Sequence, residues 1–227
     1  MKKLIYLSLL GFLFSPFISA QKCDFYYPQT KGAELVYKNY DKNGKSTGTS
    51  TQKVVDYKET ATGSEATISN KSTDTKGKTT EAQLNVKCEG GIFYFDMKGY
   101  LNQDPNAYQG MDVKMDAHNL EMPSNLKAGD KMKDGWVKMD VSSGGMKIMS
   151  MQIDITDRTV VGKESVTTPA GTFDCLKISQ NATTKMGMTI TSKSTQWMCS
   201  GTGMIKTETY SSDGKLAGST ILEAINK

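Results

Sequence analysis

Residues 149–156 constrain the fold more than any other stretch. In Met149-Ser150-Met151-Gln152-Ile153-Asp154-Ile155-Thr156 every odd residue is apolar and every even one polar. A period of two sends successive side chains to opposite faces of a pleated strand, whereas a helix would scatter them around its circumference. The same rhythm recurs in Met186-Gly187-Met188-Thr189-Ile190-Thr191, in Leu84, Val86 and Cys88 against Asn85 and Lys87, and in Phe93, Phe95 and Met97. Turn words separate these runs: Asp41-Lys42-Asn43-Gly44-Lys45, Ala61-Thr62-Gly63-Ser64, Lys76-Gly77-Lys78, Glu89-Gly90-Gly91 and Ser212-Asp213-Gly214-Lys215. Asn-Gly and Asp-Gly accept the positive φ of a tight hairpin, and a spacing of roughly 8 to 12 residues marks an all-β meander. The expected fold is all-β, an antiparallel curved sheet or barrel-like sandwich of about a dozen strands.

The stretch from Gly99 to Gly135 breaks the rhythm with Pro105, Gly110, Pro123 and Gly129. It reads as one long connection with a helical turn near Asp116–Glu121, and connections of that length in compact domains are often functional. No shift of composition divides the chain, so residues 21–227 are read as a single β domain, any subdivision falling within 99–135.

The first twenty residues have a charged start at Lys2 and Lys3, an apolar run from Leu4 to Phe17 and a small-residue site at Ile18-Ser19-Ala20. That is the pattern of a secretory signal peptide cut after Ala20, with an apolar run too short to span a membrane. Lipid attachment at Cys23 would need a small residue before it, and Lys22 stands there. The expected product is exported, periplasmic or extracellular, with no membrane span after cleavage. Discounting Lys2 and Lys3 lowers the net charge from +4 to +2, and Arg158 is the sole arginine. Nucleic-acid recognition leans on arginine forks, so that class is disfavoured.

Four cysteines, Cys23, Cys88, Cys175 and Cys199, follow the signal segment. An even count in an oxidising compartment implies disulfides, and no cysteine spacing matches a zinc site. Three pairings are open; the nearest-neighbour one joins Cys23 to Cys88 and Cys175 to Cys199.

Catalytic constellations are scarce. His118 is the only imidazole and no G-x-S-x-G elbow occurs, so a nucleophile would lack its usual base. Gly44-Lys45-Ser46 and Gly77-Lys78-Thr79 end like phosphate loops, but Asn39 and Ser72 occupy the positions of the required first glycine. Asp112 with Asp116, or Asp154 with Asp157, would serve as acid–base pairs or calcium ligands only if the fold gathered them. Asn70-Lys71-Ser72 and Asn181-Ala182-Thr183 match the short glycosylation sequon. No enzymatic activity and no cofactor are expected.

Methionine is the compositional oddity: 14 residues, eight of them between Met111 and Met151 (Met111, Met115, Met122, Met132, Met139, Met146, Met149 and Met151). Met149-Ser150-Met151 and Met186-Gly187-Met188 are M-x-M pairs whose soft thioethers suit Cu(I), but both continue into Ile153 and Ile190 at the same parity, as a core or pocket face does.

The words Leu120-Glu121-Met122-Pro123-Ser124-Asn125-Leu126-Lys127-Ala128-Gly129-Asp130, Val166-Thr167-Thr168-Pro169-Ala170-Gly171-Thr172-Phe173-Asp174-Cys175, and Trp197 followed by Gly201-Thr202-Gly203-Met204-Ile205-Lys206 stand in an order that resembles the exported Gram-negative proteins grouped as domain-of-unknown-function family 3108. Cys23-Asp24-Phe25-Tyr26-Tyr27-Pro28 through Tyr40-Asp41-Lys42-Asn43-Gly44-Lys45 is similar to the same group. The resemblance implies an extracytoplasmic β-rich protein with no established activity and lends no catalytic residues. Pro169-Ala170-Gly171 reads as a turn launching a strand at Thr172, and Gly201 with Gly203 as a bulge between two strand pieces.

The expected function is a non-catalytic binding module holding a hydrophobic or amphiphilic, lipid-like ligand in a cavity walled by Phe93, Phe95, Met97, Met149, Met151, Ile153, Met186, Met188 and Ile190. The alternatives are an envelope assembly component that docks a protein partner around a filled interior, and a Cu(I) carrier with exposed, convergent M-x-M pairs.

Overall fold

The computed structural model describes residues 23–101 and 108–226; the predicted signal segment lies outside them. Strands β1 (Glu34–Asp41), β2 (Ser46–Thr60), β3 (Gly63–Asp74), β4 (Thr79–Glu89) and β5 (Ile92–Phe95) run as a meander into a short helix α1 (Met97–Leu101). After it come β6 (Asp112–His118), β7 (Leu120–Pro123), β8 (Gly135–Ser143), β9 (Met146–Thr168), β10 (Gly171–Met186), β11 (Met188–Cys199), β12 (Gly203–Ser211) and β13 (Leu216–Asn226). The turn words fold as their chemistry requires. Asp41 Oδ1 accepts the N–H of Asn43 and of Lys45, each at 2.9 Å, while Gly44 takes a φ of +77°. Asp74 repeats the device with Lys76 and Lys78.

All thirteen strands join one antiparallel sheet in the order β6-β8-β9-β10-β11-β12-β13-β1-β2-β3-β4-β5-β7. Its two terminal strands, β6 and β7, are separated in the chain by Asn119 alone. One residue spans only a few ångströms, so the two ends of the sheet lie side by side and the sheet curls into a nearly closed barrel.

The 129–133 segment stitches that seam to β9. Gly129 N–H donates to Val160 O at 2.8 Å, Val160 N–H to Asp130 O at 2.9 Å and Met132 N–H to Arg158 O at 2.8 Å. Arg158 adds its side chain, Nη1 donating to the carbonyls of Glu121 and Lys133, each at 2.9 Å. Arg158 as a whole is 3% exposed. Burial pulls its pKa down to about 10, partly offset by Asp134 and Glu121. The β9–β10 hairpin bends beside this seam through two register shifts, with Asp157 at a φ of +54°; bulges of this kind give a long strand pair its curvature.

The interior holds two packed clusters. The larger gathers Leu35, Tyr37, Val54, Ile68, Val86, Ile205 and Leu222 around an N-terminal strap, Phe25, Tyr26 and Tyr27. Phe93 meets both Phe25 and Tyr26 in T-shaped contacts at 5.4 Å between centroids. A disulfide from Cys23 to Cys88 fastens the strap to β4. The smaller cluster is Met97 of α1 with Val137 and Ile155, and Phe95 packs against both clusters.

Three local expectations change. The long connection runs from α1 through β6 and β7, so its helical turn falls at Met97–Leu101, and Asp116–Glu121 is strand on either side of Asn119. Gly201, φ +77°, lies in the turn of the β11–β12 hairpin, and the bulge sits at Trp197/Met198 instead. Cys175 and Cys199 remain free thiols.

Candidate functional site

Register decides which residues share the inner face. On β8, Val137, Met139 and Val141 are buried, while Trp136, Lys138 and Asp140 alternate outward. Antiparallel partners point to the same side, so the pairs Val141↔Met149, Met139↔Met151 and Val137↔Ile153 place Met149, Met151 and Ile153 inward. Thr184↔Ile153 and Thr184↔Ile190 extend that side onto β10 and β11, and Met186↔Met188 lies two residues along. On β6, Val113↔Val141, Met115↔Met139 and Ala117↔Val137 continue it the other way. Met186 falls opposite Met151, one step past the Lys185↔Gln152 pair. A row of five thioethers therefore crosses the sheet: Met115, Met139, Met151, Met186 and Met188, from β6 through β8, β9 and β10 to β11.

The row runs from a packed interior to open solvent. Met139 is 1% exposed, Met186 48% and Met188 70%; Ile190, in the next row, is 58% exposed. At the same end of the sheet Met146 is 75% and Ile148 59% exposed, and Met111 and Val113 at the β6 edge are also open. Gly187, at a φ of +72°, makes the turn that holds Met186 and Met188 side by side.

The nine residues expected to wall one cavity thus divide. Phe93 and Met97 are fully packed, Phe95 bridges the two clusters, and Ile153 packs against the smaller one. Met149 and Met151 are half-buried, and Met186, Met188 and Ile190 stand open. The arrangement is an apolar surface continuous with the core. The sequence reading missed Val113, Met115, Val137, Met139 and Val141 as members of this face, although their alternation along 113–117 and 137–141 was there to be found.

The outer face of the same strands is ionic. Lys147 Nζ lies 2.6 Å from Asp140 Oδ1 and Ser150 Oγ donates to the same atom at 2.6 Å. These two hydrogen bonds hold the Asp140 carboxyl down at about 2. Asp154 takes Gln152 and Lys185, while Asp157 takes Asn181. These carboxylates are each engaged by different partners, and among the described residues no group of three His, Cys, Asp or Glu comes together as a metal site.

His118 lies at a groove of about 680 Å³ on the seam, lined by residues that include Asp56, Lys58, Tyr94, Asp96 and Glu121. Its Nδ1 donates to the Asp134 carbonyl at 3.1 Å. A backbone carbonyl orients an imidazole in this way.

Cys175 and Cys199 occupy facing positions on β10 and β11, one step past the Leu176↔Met198 pair. The neighbouring Cys199 and burial push the Cys175 thiol well up, whereas Cys175 and Thr202 beside it bring Cys199 down to about 7. Cys199 is the more exposed of the two. A thiolate beside a thiol is the arrangement that attacks an external disulfide. Incubation with glutathione disulfide is expected to make Cys199 attack first and Cys175 resolve the mixed disulfide, leaving a protein two hydrogens lighter and two molecules of reduced glutathione. Alkylation mass spectrometry reads this directly, and persistence of both thiols would exclude the pairing.

A DUF3108-like family model matches residues 30–222, which is most of the chain. The chain belongs to the DUF3108-like family. Two crystal structures are similar over nearly the whole chain. One, from Bacteroides fragilis NCTC 9343, is described as a "putative exported protein with YmcC-like fold"; it is 27% identical with a TM-score of 0.75, and the match covers 90% of this chain and 100% of that one. The other, from Parabacteroides distasonis ATCC 8503, is described as a "putative lipoprotein", also 27% identical with a TM-score of 0.75, covering 90% and 99%. No curated protein matches significantly. In this chain the sulfur of Cys23 is committed to Cys88. Among the described residues of this DUF3108-like chain no helix is long and apolar enough to cross a membrane, which leaves strands out of account.

Proposed function

We propose that this DUF3108-like chain is an exported, non-catalytic binding module that takes the apolar chain of an amphiphile on the open end of its inner face. The supporting observation is the exposure gradient along the five-methionine row, from 1% at Met139 to 70% at Met188. Soluble proteins rarely leave contiguous apolar surface uncovered, and where they do it marks a binding face. Thioethers are flexible and adapt to an occupant without a fixed shape. Across residues 149–155 of β9, 182–186 of β10 and 188–192 of β11 the inner-facing side chains are apolar apart from Thr184 and Ser192, with Ser194 and the buried Gln180 in the next row, which suits a hydrocarbon chain better than a ligand that must be hydrogen-bonded.

Titration with a fluorescent fatty acid tests the reading. Wild-type protein is expected to saturate, and Ile190→Asp to weaken binding by about tenfold or more, since losing one buried aliphatic contact costs about 1.5–3 kcal/mol. Because Ile190 is exposed, thermal stability should not move. Equal binding by both proteins would overturn the proposal.

A second reading, docking of an envelope protein, draws on β6, which among the described residues has no strand on its other edge. An unpaired edge beside an apolar face is the geometry of strand addition. A bound polypeptide in place of a lipid would favour it.

A further inference from the structure

We propose that Met149, Met151, Met186 and Met188 form a site for a soft monovalent cation, Cu(I), on the exposed end of the methionine row. The proposal stands apart from the amphiphile reading: it uses the sulfur atoms, where that reading uses apolar area.

The pairing sets Met151, Met186 and Met188 in one row, with Met149 in the next. Met151 and Met186 face each other across β9 and β10, and Met186 and Met188 across the Gly187 turn. Directly opposed residues have Cβ atoms about 4.5–5.5 Å apart, and a thioether carried on three rotatable bonds can close that gap. Met149 stands two residues from Met151 on the same inward side. Met149 and Met151 are half-buried while Met186 and Met188 are open to solvent, so a cation can enter from one side and be backed by the sheet on the other. Soft thioethers select Cu(I) over the harder divalent ions, and the nearest charged groups on these strands are spent on one another, Lys147 on Asp140 and Lys185 on Asp154, although Lys185 lines the same hollow as Met186 and Met188. A thioether carries no proton to lose, so uptake here does not weaken in mild acid as it does at thiol or imidazole ligands.

Ag(I), an air-stable probe of the same softness, tests the site in the full-length mature protein. Native mass spectrometry is expected to show one Ag(I) more on the wild type than on a variant with all four methionines changed to leucine, at pH 7 and at pH 5. Cys175 and Cys199 compete for Ag(I) in both proteins, so the difference isolates the thioethers. The methyl ¹³C resonances of the four methionines should shift on addition of Ag(I), with those of buried Met139 and Met97 unmoved. Leucine keeps the apolar area, so the four-leucine variant should still bind the fatty-acid probe, whereas Ile190→Asp should keep its Ag(I) and lose the probe. Equal Ag(I) uptake by wild type and the four-leucine variant, or methyl resonances of the four methionines that stay put on addition of Ag(I), would overturn the site without touching the amphiphile reading.

Discussion

Replacing Arg158 by alanine is expected to remove about 3–5 kcal/mol of stability, the largest effect of any single substitution considered. The guanidinium sits at the seam, where its Nη1 donates to the carbonyls of Glu121 on β7 and Lys133 ahead of β8. Alanine would leave two carbonyls without a donor in a buried place and empty the space that the side chain fills. Arg158→Lys restores the charge but not the planar fork, so only part of the loss should return. Urea denaturation at pH 7 measures the change as a lowered midpoint at unchanged slope. Hydrogen exchange localises it: the Gly129, Met132 and Val160 amides, which bond across the seam, should lose protection before those of β1 or β13. A midpoint within about 1 kcal/mol of wild type would mean that the strands close the barrel without this side chain.

The second large effect is expected from Cys23→Ser with Cys88→Ser. The bond closes a loop across a sequence separation of 65, with Cα atoms 5.9 Å apart. Loop closure of that length accounts for about 4 kcal/mol in the chain-entropy picture, equivalent to roughly 8–16 °C in Tm for a chain of this size. The variant should still fold, because Phe25, Tyr26 and Tyr27 remain buried against Phe93 and the main core. Scanning calorimetry reads the shift. An unchanged Tm would show that aromatic packing alone seats the strap.

The strand meander was legible because alternation and turn chemistry agree at most positions. Asp41 and Asp74 cap their own turns through local hydrogen bonds, which is information carried within five residues. The seam was not legible. β6 and β7 are only seven and four residues long, and Gly110 and Pro123 around them mask a short alternation. Arg158 gave no sign of its role, since a lone arginine is equally at home on a surface until β9, β7 and the 129–133 segment converge on it. For the candidate site, parity alone fixed that Met149 and Met151 share a face, as do Met186 and Met188. That the two pairs meet depends on the register of β9 with β10, which two bulges set. Exposure depended on more distant facts, namely how far the β8–β9 and β10–β11 hairpins outreach the short β5 and β7.

Native mass spectrometry of the protein isolated without detergent from its own cell envelope addresses the open apolar face most directly. The wild type is expected to carry a noncovalently bound lipid-like mass that is absent from Ile190→Asp. Wild-type protein that arrives bare, or carries the same mass as the variant, would contradict this expectation.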